Sequence, residues 1–174
     1  MALLLRSFLF KDPHHLMIGF KSFILPIVEY CSVVWNPHHL KDILHLESVQ
    51  RAFTKRLPGL RELSYSHRLK TLNVQTLERR RLQNDLIFCF KILHGLVCDL
   101  PENYGLVLAT RRSRGHSLKL EIKQSRIDVR KNYFACRVVK PWNSLPDDLV
   151  TSTTVQAFKA GIELANLSDY LVFK

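Results

Sequence analysis

The run from Leu77 to His94 constrains the fold of this chain most. Leu82, Leu86, Phe90 and Leu93 recur at spacings of four, four and three, the period of a helix with one apolar face. Gly95 follows where a helix turns left-handed and stops. The first turns hold Arg79, Arg80 and Arg81. The helix dipole disfavours cations there. Either an exposed basic turn or a bound anion accounts for that placement.

The same period predicts further helices. Residues 14–35 are apolar and rich in aromatics, with Pro26 set to kink or end a helix. Residues 39–57 place Ile43, Leu46, Val49 or Gln50, Phe53 and Leu57 on one face, and Pro58-Gly59 stops that helix. Ser64 caps a short helix to Leu72. Residues 107–122 alternate with period two and read as extended. Helical spacing returns over 127–140, where Pro141-Trp142 ends it, and Asn143 to Pro146 form a turn. Thr153 or Thr154 caps a last helix carrying Val155, Phe158, Ile162 and Ala165. The expected class is mainly α: a helical bundle with a short extended or hairpin segment near 107–122 and a C-terminal helix.

Charge is unevenly divided. Residues 111–140 hold ten Lys/Arg against Glu121 and Asp128, a net +8 out of +11 for all 174 residues. Residues 51–91 carry a net +7, and the loop around Asp99, Pro101 and Glu102 separates the two basic blocks. In the second block the cations alternate with Leu118, Leu120, Ile122, Val129, Tyr133, Phe134 and Val138. Such a mixture can fold and still present one basic face, the usual footprint of a nucleic-acid surface. The chain is 47% hydrophobic and 24% charged, enough to bury a core.

Cys31, Cys89, Cys98 and Cys136 show no paired spacing, which points to a reducing compartment rather than a disulfide framework. The start MALLLRSFLF lacks a cationic lead, an unbroken apolar run and a cleavage site, and no long apolar window follows. The expectation is an intracellular protein of nucleus or cytoplasm, not secreted and with no membrane partner.

Five strings, in order, resemble one family: PIVEYCSVVWNP (26–37), LHLESVQRAFTKRLPGL (44–60), SYSHRLKTLNVQTLERRRLQNDLIFCFKILHG (64–95), TRRSRGHSLKL (110–120) and VRKNYFACRVVKPWNSLP (129–146). Together they resemble the C-terminal part of the reverse transcriptase of non-LTR retrotransposons, of the jockey and chicken-repeat type, over about residues 5 to 166. The resemblance implies a helical thumb-like region over 1–100. It implies a basic post-thumb region over 101–174 packed on it, as two regions or one domain. A thumb packs on the template–primer duplex through backbone contacts, which position the duplex and carry little sequence information.

Polymerisation itself needs carboxylates that hold two divalent metals. The only Asp-Asp pair, Asp147-Asp148, follows Leu145-Pro146 rather than an aromatic in a hairpin, and reads as a solvated loop or helix-start acid. Some elements of this kind carry a Cys/His zinc knuckle. Here Cys89, His94 and Cys98 come nearest, at spacings that suit a buried structural role better than tetrahedral convergence. His14-His15 and His38-His39 read as surface or capping residues. No nucleophile constellation or phosphate loop is present. Trp35 and Trp142 could stack on bases but read as core.

The sequence thus predicts no enzyme, no catalytic residue, no metal and no cofactor. It predicts a truncated polymerase fragment that retains sequence-tolerant binding to RNA, DNA or a hybrid. The expected phosphate contacts are Arg79, Arg80 and Arg81, then Arg111, Arg112, Arg114, His116 and Lys119, then Arg126, Arg130, Lys131 and Arg137. Two other readings stay open. One is a protein-interaction module that self-associates through apolar surface near 23–35, at Ile24, Ile27, Val28, Val33 and Val34. The other is a retroelement remnant without a role.

Overall fold

The computed structural model describes residues 5–6, 12–110 and 115–173. It is mainly helical, as expected, and no β-strand forms among the described residues. The chain divides into two compact units, Met1–Arg80 with Phe173, and Arg81–Val172 with Lys174. The division falls inside the helix Leu77–Leu93, whereas the sequence reading changes region at residue 100. The physical reason lies in the partners of residues 81–93. Asp85 pairs with Arg137 and Phe90 stacks on Phe158.

In the first unit, α1 (Pro13–Gly19) starts at Asp12, whose carboxylate accepts the His15 N–H at 3.1 Å. That bond, more than any other cause, holds the Asp12 carboxyl below its usual range. Pro26 has no N–H to give to a carbonyl four residues back. The chain answers with a π-helical turn, Phe20–Ile24, closed by the Leu25 N–H on the Phe20 carbonyl, before α2 (Leu25–Glu29) continues. A short α3 (Ser32–Trp35) follows, with Cys31 left-handed before it. Trp35, expected in the core, is exposed, its indole N–H donating to the Tyr30 carbonyl.

The helix α4 (Leu40–Lys55) packs a mixed face. Ile43 and Phe53 are buried, but so are Glu47, Gln50 and Thr54, while Leu46 and Val49 are only half-buried. Phe53 stacks on Phe20 with centroids 4.6 Å apart, among buried Leu16, Met17, Leu25, Leu57 and Leu60. Each such aliphatic or aromatic side chain contributes about 1.5–3 kcal/mol on burial. Ser64 caps α5 (Tyr65–Leu72), accepting the His67 N–H, and Asn73 closes it at φ +48°. Asn tolerates that left-handed conformation better than most residues.

Unit 2 holds most of α6 (Leu77–Leu93), and Gly95 ends this helix at φ +66° as read from the sequence. The Leu96 N–H returns to the Lys91 carbonyl at 2.8 Å, the six-to-one bond of a left-handed cap. After the 3-10 turn Pro101–Tyr104, Leu108 and Leu120 form an isolated antiparallel bridge, flanked by Ala109–Lys119 and Glu121–Val107 hydrogen bonds. The extended segment expected near 107–122 is therefore a single-bridge pairing. Three short helices follow: α7 (Asp128–Lys131), α8 (Phe134–Arg137) and α9 (Val139–Asn143). Pro141-Trp142 lies within α9 rather than ending it. Proline is tolerated in a first turn, and the Trp142 N–H still reaches the Val138 carbonyl at 2.9 Å.

Trp142 is the centre of this second core. It is fully buried, 5.9 Å from Phe158, and its indole N–H donates to the Leu118 carbonyl at 2.8 Å. Beside it, the Asn143 amide pairs with both backbone groups of Leu120, at 2.9 and 2.8 Å. These two neighbours staple the extended segment to α9. Asp147 and Asp148 open α10 (Asp147–Val150), where acids suit the dipole. Thr154, not Thr153, caps α11 (Val155–Leu164) through the Ala157 N–H.

The most consequential polar group of the first unit is Glu47. Its carboxylate is fully buried and accepts N–H bonds from Leu77 (3.0 Å) and Glu78 (3.3 Å) at the start of α6. It also accepts the Tyr65 hydroxyl, whose pKa is driven far up, first by burial and then by Glu47. Gln50 joins through Tyr65 and the Gln75 carbonyl. Glu47→Ala would strand these buried donors. It should cost about 2–4 kcal/mol in urea unfolding, and Glu47→Gln, which keeps an acceptor, should cost clearly less.

Candidate nucleic-acid interface

The cations singled out from sequence fall into four environments. Arg111, Arg112 and Arg114 lie outside the described residues. Arg79, Arg80 and Arg81 occupy the first turns of α6, where the sequence implied an electrostatic cost. Local groups offset it. The Thr76 hydroxyl accepts the Arg79 N–H at 3.2 Å, and the Glu47 carboxylate lies at the two preceding N–H groups. The half-buried Arg80 guanidinium is held by both oxygens of Glu29. Arg81 is 1% exposed, a core residue that no phosphate reaches in this conformation. An arginine triplet that looks like a surface cluster in sequence therefore points in three directions, because consecutive helical residues sit 100° apart.

His116 and Arg137 are also structural. The Arg137 guanidinium grips the buried Asp85 carboxylate with two bonds, at 2.8 and 2.9 Å, and donates a third to the Asn132 carbonyl at 3.0 Å. His116 is 2% exposed. Its Nε2 donates to the Trp142 carbonyl at 3.1 Å, its ring stands edge-on to the Trp142 indole, and its Nδ1 meets no hydrogen-bond partner among the described residues. Burial, foremost, lowers its pKa. The Trp142 carbonyl and Asp147 act the other way, and Lys119 adds to the lowering. Lys119 itself is half-buried.

The described candidates that remain exposed lie on one continuous stretch. From Glu121 to Tyr133 every residue is exposed except the half-buried Ser125 and Asn132. It carries Lys123, Arg126, Arg130 and Lys131, and Lys140 is exposed further on. Lys131 reaches Asp128 at 2.9 Å, an exposed pair worth little against water. Arg126 and Arg130 extend into solvent. Lys123 and Lys140 were not among the candidates read from sequence, although both belong to the same basic run. No signal in the sequence separates them from Arg137.

The remaining chemical groups fit structural roles. Cys89 is buried, and burial, helped by the Asp85 charge, pushes its thiol pKa well up. Such a thiol is inert. His94 stacks on Phe90 and bonds the Val150 carbonyl at 3.0 Å. Among the described residues no three His, Cys, Asp or Glu side chains converge as metal ligands, and no helix is long and apolar enough to cross a membrane.

The geometry of His116 sets a pH dependence. A histidine that ionises near pH 6.5 when unfolded, and at lower pH when folded, stabilises the fold fully above about pH 6.5. That contribution fades as pH falls towards the folded value, because the unfolded chain then binds the extra proton. Urea midpoints should therefore drop between pH 7.5 and pH 5, and His116→Gln should reduce the drop. A second variant tests the ion pair: Arg137→Ala removes two guanidinium bonds from buried Asp85 and should cost about 3–5 kcal/mol. No protein-family model, curated protein or solved structure matches this chain, so its candidate interface rests on these residues alone.

Proposed function

We propose that this chain is a nucleic-acid-binding module that grips sugar–phosphate backbone without reading base sequence and carries out no chemistry of its own. One observation carries the reading. The exposed stretch 121–133 leaves Arg126 and Arg130 in solvent while buried Asp85 and half-buried Glu29 claim Arg137 and Arg80. Solvated guanidiniums release counterions from a polyanion, which is the main source of sequence-independent affinity. The sequence resemblance to the C-terminal part of a non-LTR retrotransposon reverse transcriptase favours the same conclusion, since a thumb and its following segment hold a template–primer. On that reading the chain is a polymerase-derived fragment whose catalytic carboxylates lie elsewhere.

Affinity for a mixed-sequence oligonucleotide should fall steeply with salt. The slope of log K against log salt is about −0.9 per phosphate neutralised on duplex, or about −0.7 on a single strand. Replacing Arg126, Arg130 and Lys131 together by Ala should flatten that slope by roughly two to three units, equally for unrelated sequences. An affinity that is flat in salt would sink the proposal.

A second reading has its own support, in the first unit. Phe23, Ile27, Tyr30 and Val34 are exposed at spacings of four, three and four, with Ile27 76% and Val34 81% accessible. Of the apolar residues expected there, Ile24, Val28 and Val33 are instead half-buried. Exposed apolar groups of this kind mark a contact surface, here for a second copy of the chain. Sedimentation without nucleic acid should then show concentration-dependent dimers, abolished by Ile27→Asp, which touches no core. A monomer at all concentrations removes this reading.

A further inference from the structure

The stretch 121–133 is not only basic. Ile122, Ile127, Val129 and Tyr133 are exposed between its cations, and Tyr133 presents 55% of its surface. A duplex offers its partners phosphate, sugar and groove edges, with base faces stacked inside. Exposed apolar side chains gain little against such a surface. A single strand offers base faces, and an aromatic ring beside cations can stack on them.

Tyr133 is held in place for that. It precedes α8, and its carbonyl accepts the N–H groups of Cys136 (2.9 Å) and Arg137 (3.0 Å). Arg137 is clamped to buried Asp85, so the ring's backbone anchor is tied into the core. The ring edge packs against Gly105, where an added Cβ would sit 4.0 Å from it and 3.3 Å from the Ala135 methyl. Gly105 is left-handed at φ +79°, which a side chain would resist. Its carbonyl accepts the Lys123 ammonium at 2.9 Å. A ring and an ammonium are thus brought to one loop, and Arg126 and Arg130 are exposed on the segment between Lys123 and Tyr133.

We infer that Tyr133 is a base-stacking platform, flanked by Lys123, that makes this site select single-stranded nucleic acid over duplex. The inference rests on the proposed function and narrows its substrate class. It also departs from the duplex that the sequence resemblance implies. A lipid surface is the competing partner for cations mixed with aliphatic groups. The helices here span four residues each, too short to lay a continuous apolar face on a bilayer.

The test uses the full chain and fluorescence anisotropy. The probes are a labelled 20-nucleotide single strand of mixed sequence, as RNA and as DNA, the same sequence as duplex, and vesicles containing an anionic phospholipid. The single strands should bind roughly tenfold more tightly than the duplex at equal salt. Tyr133→Ala should lose roughly tenfold on single strands and leave both the duplex affinity and the salt slope unchanged. Tyr133→Phe should retain full binding, and matching urea midpoints would exclude misfolding. Equal affinity for single strand and duplex, or an equal loss on both, overturns the stacking platform and leaves backbone binding intact. Binding to neither nucleic acid, or to vesicles only, overturns both proposals.

Discussion

Asp85 sits almost fully buried on α6, and Arg137 offers its carboxylate two guanidinium bonds. Stripping water from a carboxylate costs several kcal/mol, which only such a geometry offsets. The pair therefore acts as a constraint on position more than as a source of net stability. It fixes α8 against α6 within the second unit. That in turn places Tyr133 at the start of α8 and leads the chain into α9, where Trp142 fills the core. The basic surface of 121–133 hangs between this anchor and the staple made by Trp142 and Asn143 on the extended segment.

Glu47 plays the matching part in the first unit. A helix start normally leaves N–H groups without intrahelical partners. Here a buried carboxylate from α4 meets two of them, and Thr76 meets a third. The arrangement also explains why three consecutive arginines are tolerated at that helix end. Negative charge is supplied by Glu47 and Glu78, against the positive pole of the dipole. Arg80 adds a further tie, to Glu29 on α2, so charged groups as well as apolar ones hold α2, α4 and the first residues of α6 together in this unit.

Much of this fold was legible in the residues. Ser64 and Gly95 cap the helices they were expected to cap, and of the two threonines expected at the last helix Thr154 does so, because a side-chain oxygen or a missing Cβ acts within a few residues of itself. Phe90 and Phe158 bury as their period requires. The candidate site was legible only as a composition. Arg126 and Arg130 stayed on the surface, while Arg81, Arg137 and His116 went inside. A periodicity argument treats every charged residue as solvent-facing, and it cannot know that Asp85 waits 52 residues away for Arg137. Pro141 and Trp35 show the same limit. Proline stops a helix only if the helix has already begun, and an indole is buried only if a core reaches it.

The sequence by itself determined several helix caps, the apolar faces of the longer helices, and that the chain carries a large positive charge in two blocks. Those properties depend on neighbours three or four residues away. Only the tertiary structure decided which charges are spent inside and which face water. Burying a charge costs several kcal/mol unless a distant opposite charge meets it at hydrogen-bond range. The pairings of Asp85 with Arg137 and of Glu29 with Arg80 tie up two arginines of the basic blocks, while the stretch 121–133 keeps its cations and a tyrosine in solvent.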